Sequence, residues 1–303
     1  MKKLWLLIKT TVQSWNDDYA PSMGAALAFY TLFSIAPLLL IVLSIIGLIF
    51  GEEAARGEIV GQLQNLMGEE GATAVQALLQ NVNKPTEGIF ATIVGVVLLL
   101  IGATSVFGEL QNALDRIWRA PERAQSSGLW NLIHSRLLSF GMILGIGFIS
   151  MVSLVLSAGL SAIGKWWAPI LDNSENEWLF LLGTLNALFS FLIYTAMFSL
   201  IYKLMPRVKI DWKDVLIGAV ITSLLFTIGK SLIGLYIGTS AIASGYGAAG
   251  SLFVLLVWVY YSAQVFLMGA EFTWVYANIY GSRKDKPHTV VNKQEATPTS
   301  SNF

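Results

Sequence analysis

Cysteine is absent from the 303 residues, which excludes disulfides, thiolate metal sites and a thiol nucleophile. The two histidines, His134 and His288, lack ligand spacing, and no P-loop, HExxH or serine-nucleophile pattern occurs. Charged residues make up only 13% of the chain and sum to zero, so no overall field argues for a nucleic-acid partner. Against these absences stand 55% hydrophobic residues and a mean hydropathy of +0.63. That is too apolar for a soluble domain and too evenly spread for one anchor on a globular head. The pattern predicts an all-α, polytopic integral membrane protein.

The run from Ala248 to Ala277 holds no Lys, Arg or Pro and a single acid, Glu271. Because ~20 apolar residues cross the ~30 Å hydrocarbon core, this run is a span. Five others precede it: Met23 to Phe50, about Gly88 to Gly108, Leu137 to Ile163, Trp178 to Tyr202, and about Asp214 to Gly238. Residues 1–16 place Leu4, Trp5, Ile8, Val12 and Trp15 at helical spacing, the signature of an interfacial amphipathic helix. Residues 52–87 read as an outer helical hairpin on the membrane surface, and 281–303 as a polar, disordered cytoplasmic tail. Everything from 1 to 280 forms one six-helix membrane domain.

With six spans, Lys2, Lys3, Lys9, Arg116, Arg119, Arg136, Lys203, Arg207 and Arg283 fall on one side. Only Arg56, Lys84 and Lys165 fall on the other, among many acids. The positive-inside rule then places both termini in the cytoplasm, beside anionic lipid headgroups as partners.

Three segments, AALAFYTLFSIAPLLL at Ala25 to Leu40, FGELQNALDRIW at Phe107 to Trp118, and YGAAGSLFVLLVWVYYSAQVFLMGAEFT at Tyr246 to Thr273, resemble the YihY/BrkB family of bacterial inner-membrane proteins. The resemblance covers nearly the whole chain and implies a helical bundle in the bacterial cytoplasmic membrane. It also carries an older label, tRNA-processing ribonuclease BN, beside links to serum resistance and to export of envelope lipid or small solutes. Phosphodiester hydrolysis needs metal-holding carboxylates or histidines, or an acid/base pair near a phosphate cradle. Neither is present, so no enzyme activity, cofactor, metal or nucleic-acid partner is expected.

Ionisable groups inside spans carry the functional reading, because each is expensive unless paired or wet. Counting along the helices puts Glu271 near the inner boundary with Glu109, Asp17 and Asp18, and with Arg116 and Arg136 as counter-charges. This inner cluster reads either as helix capping with interfacial salt bridges or as a gate or proton relay. Lys230 lies farther out, at a depth comparable with Asn186 and Ser44, while Gln264 supplies a polar handle on the last span. Lys230 either snorkels to the outer interface or meets an anionic substrate group in a polar cavity. The expected function is ATP-independent transport or export of an amphiphilic or small charged solute, with envelope lipid among the candidates. A non-transporting assembly scaffold is the alternative, the nuclease label a second. Oligomeric state is not legible.

Overall fold

The computed structural model describes residues 2–50, 105–121, 175–239 and 250–284, with separate positions between 57 and 77; over 2, 36–50, 175–182 and 238 only the backbone is described. All regular structure among these residues is helical: α1 (Lys2–Asp17), α2 (Ala20–Phe50), a segment at 105–117, α3 (Glu175–Leu204), α4 (Trp212–Thr239) and α5 (Gly250–Ile279). Stretches Gly183–Leu204, Trp212–Ile237 and Gly250–Ile279 are each long and apolar enough to cross a membrane. Helix α2 adds 31 residues without one charged side chain. The expected third span with its Gly141, Gly145, Ser153, Ser157 and Ser161 stripe lies outside the described residues, as do Arg136 and the Ser44 side chain.

Helix α5 is the hub. It packs on α4, α2 and α1, while α3 packs on α4. Lipid tails give apolar helices little reason to associate, so close approach through small residues does that work. A Cβ on Gly218 would meet Thr273, one on Gly269 would meet Thr222 and Tyr202, and one on Gly229 would meet Tyr261. Three of the seam's hydroxyls are satisfied without water: Thr222 donates to Gly218 O at 2.7 Å, Thr273 to Gly269 O at 2.7 Å, and Tyr202 to Phe266 O at 2.7 Å. Gly269→Ala is therefore expected to destabilise the bundle by ~1–3 kcal/mol through overpacking. Gly234→Ala, which would meet nothing within 4 Å, should gain up to ~1 kcal/mol of helix propensity. Thermal unfolding of the two variants in detergent checks the contrast.

At one end of the seam, helical residues 71–77 do more than rest on a surface. Ala74 packs with Ile233, Ile237 and Val254, and Val75 with Leu255 and Trp258. Small side chains let this turn sit against α4 and α5, so this part of the expected surface hairpin closes that end of the seam. At the other end, α1 buries the stripe Leu7, Thr11, Ser14 and Asp18 and leaves Trp5 64% and Ile8 53% exposed. The apolar side of α1 faces away from the bundle and its more polar stripe faces in. That inward stripe delivers Asp18 to α5.

Candidate functional site

The site begins with two unusual helix ends. Tyr19, at the end of α1, and Arg119, at the end of 105–117, have φ of 57° and 51°. Among the described residues they are the non-glycine positions in the left-handed region, where a Cβ is strained by roughly 1–2 kcal/mol. At Arg119 the hydrogen bonds close a Schellman motif: Ala120 N–H to Asp115 O at 2.8 Å and Arg119 N–H to Arg116 O at 3.1 Å. Glycine is the usual residue there. Arginine at that position swings its side chain off the helix face and toward α1 and α5.

There the Arg119 guanidinium pairs with Asp18 Oδ1 and lies 5.3 Å from the Trp274 ring centre. Asp18 is almost fully buried, and its second oxygen has no hydrogen-bond partner. Glu271, one turn before Trp274 on α5, is 0% exposed. It lies within hydrogen-bonding reach of the Asp18 carboxyl and within electrostatic reach of Arg119 and Asp17, and among the described residues neither of its oxygens has another partner. Two buried carboxyls thus share one guanidinium.

A surrounding layer locks this end of the bundle. Asp115 accepts from the Arg207 backbone N–H at 2.9 Å and pairs with its Nε at 3.2 Å, and Gln111 donates to Met205 O at 3.2 Å. Asp214 accepts from Ser282 N–H at 3.0 Å and Ser282 O–H at 2.7 Å, so this carboxylate serves the chain after α5. Arg283 donates to Lys209 O at 3.2 Å and stacks 5.2 Å from the Trp118 ring centre. Burial pulls the Arg283 guanidinium below its ordinary value, with Asp214 opposing the shift. Residues 281–284, expected to open a disordered tail, are docked on α4, and the remainder of that tail lies outside the described residues.

Of the inner cluster expected from the sequence, the structure brings together Asp18 and Glu271, with Asp17 at the edge. Glu109 is half-buried on the 105–117 segment. Arg116 lies 5.2 Å from the Tyr19 ring centre and Arg136 is not described. The counter-charge to Asp18 is Arg119, which the sequence shows only as one of the basic residues of that side. Its signal is Pro121: a proline shortly after a helix end marks the preceding positions as cap, where face periodicity no longer applies.

Lys230, Asn186 and Gln264 do not converge, and the Ser44 side chain is not described. The Lys230 ammonium lies 5.5 Å from the Tyr194 ring centre, and Asn186 is exposed, two turns or about 12 Å farther out along α3. Gln264 turns to the start of α2, its Nε2 3.5 Å from both Ala20 O and Pro21 O, and packs on Gly24.

Comparison with known proteins yields no matching solved structure. Curated relatives include the UPF0761 membrane protein PA0951 of Pseudomonas aeruginosa, 30% identical over 84% of this chain and 58% of its own length. The UPF0761 membrane protein of Tolumonas auensis is 27% identical over 86% of this chain and 81% of its own. That of Actinobacillus pleuropneumoniae is 26% identical over 92% and 96%. The chain therefore spans only about 58% of the length of the Pseudomonas relatives it matches. A family model described as Virulence factor BrkB matches residues 11–293, and with long apolar helices carrying a buried charge cluster at one end, this bacterial membrane protein belongs to that family.

Proposed function

We propose that this chain is a six-span, ATP-independent transporter of the bacterial inner membrane, with both termini cytoplasmic, that exports an amphiphilic or small charged solute. The carrying observation is Glu271, fully buried against the Asp18–Arg119 pair with no counter-charge of its own among the described residues. An assembly scaffold has no use for an uncompensated carboxyl at its most buried seam, whereas a gate needs a group whose partner can change. Lys230, half-buried near Tyr194 and with no acidic partner among the described residues, is the position for an anionic substrate group. The 71–77 turn above it closes the outer end in the state described. No enzyme activity belongs to this reading. Anionic lipids meet the lysines and exposed apolar side of α1.

The absence of native cysteine supplies the test. A single Lys230→Cys should react with an impermeant maleimide added from the outer side. Adding Glu271→Gln should slow that reaction about tenfold, the effect of ~1.4 kcal/mol of bias toward the outer-closed state. Equal rates in both backgrounds would uncouple the inner cluster from the outer end and move the scaffold reading ahead.

A further inference from the structure

The Asp18–Arg119–Glu271 trio has a charge imbalance that no other described residue repairs. We propose that Asp18 and Glu271 hold one exchangeable proton between them, with Arg119 as the switch that decides which carboxyl carries it. This rests on the transport reading for its purpose, since it names the coupling ion, but its chemistry stands on the geometry alone.

Among the described residues, the charged groups near Glu271 come from two segments. From α1 come Asp18, buried, and Asp17, exposed. From 105–121 come Arg119 on Asp18 and Arg116, which lies at Tyr19. Thr222 of α4 and Tyr202 of α3 lie at Gly269, on the opposite side of α5 from Glu271, and their hydroxyls already donate to Gly218 O and Phe266 O. Helix α2 carries no charged residue. A buried ion survives only when paired and hydrogen-bonded, and one guanidinium engaged with Asp18 leaves nothing for a second carboxylate. The neutral arrangement is one carboxylate, one guanidinium and one carboxylic acid. A metal cation is a poorer occupant, because Arg119 already brings a full positive charge and no group of three metal-ligating side chains is found among the described residues.

The exchange balances. As the guanidinium turns from Asp18 to Glu271, the O–H bond on Glu271 breaks and one forms on Asp18. Protons and charge of the trio are unchanged. What changes is the α5 side: an O–H in one state, an ion pair in the other, which is the kind of two-state contact that can bias helix packing.

Infrared spectra of the full chain in lipid at neutral pH test this through the stretch of a buried protonated carboxyl. The wild type should show that band, and Glu271→Gln should remove it. Asp18→Asn should remove it too, because Glu271 then inherits Arg119 as an ionised partner. Asp211→Asn, an exposed carboxyl outside the cluster, should leave it in place. A wild type without the band, or a band that survives Asp18→Asn in a folded protein, overturns the proposal. The Asp18→Asn arm keeps the test decisive even if Glu271→Gln fails to fold. Should the band behave as expected while maleimide labelling at Lys230→Cys ignores Glu271→Gln, the proton site stands and the transport reading falls. The opposite pair of results leaves transport with a different ion.

Discussion

Arg119→Ala is expected to lower the stability of the bundle by about 2–3 kcal/mol. Removing one partner of a wholly buried ion pair leaves an uncompensated charge and typically costs ~3–5 kcal/mol. Here Asp18 is 5% exposed but Arg119 is 35% exposed, so water screens part of the pair and the expected loss is smaller. A second effect works in the other direction. Arg119 occupies a left-handed cap that disfavours any Cβ, so Arg119→Gly loses the same ion pair yet recovers roughly 1 kcal/mol of backbone strain. Chemical or thermal unfolding in one detergent should rank wild type above Arg119→Gly and Arg119→Gly above Arg119→Ala. If Arg119→Ala unfolds with the wild type, the pair does not hold the α1 end against α5.

The second large effect has the opposite sign. Glu271→Leu should raise stability by ~1–4 kcal/mol, the range found when buried ionic groups give way to apolar side chains of similar size. The carboxyl lies in a fully buried position and its one polar neighbour within hydrogen-bonding reach, Asp18, is already paired with Arg119, so its removal forfeits little. It also leaves Asp18 and Arg119 as a balanced pair. The same substitution should abolish the coupling between the inner cluster and outer labelling at position 230. A gain in melting temperature together with loss of that coupling identifies Glu271 as a residue kept for what it does. A large loss of stability would instead make it a structural anchor, contrary to the geometry.

Legibility differed between elements for definite reasons. Long apolar runs at Gly183–Leu204, Trp212–Ile237 and Gly250–Ile279 could be read directly, because a bilayer imposes one length and one composition on any helix that crosses it. Asp18 and Glu271 could be set at one depth by counting residues, since helical rise is constant. Counting along an axis says nothing about direction around it. Gln264 was grouped with Lys230 by its place in the apolar run, but its azimuth on α5 sends it to Ala20 and Pro21. Arg119 counts in the sequence only as a basic residue of one side, and its left-handed cap, which turns the side chain to Asp18, is not a periodic feature. Residues 71–77 showed an amphipathic pattern suited to a surface, and the same small residues, Ala72, Ala74 and Val75, suit a gap between two helices equally well.

By itself the sequence determined that the chain is an all-helical membrane protein, where its apolar helices lie, and which few ionisable groups are costly enough to matter. Those properties follow from solvent and length, and each is a property of one segment. Which carboxyl meets which guanidinium was decided only by tertiary structure. Asp18, Arg119 and Glu271 come from three segments far apart in the chain, and they meet because two left-handed helix ends and the small-residue seam of α5 rotate them onto one another. Rotation about a helix axis and the path of a cap depend on neighbours from elsewhere in the chain, and no local pattern encodes them.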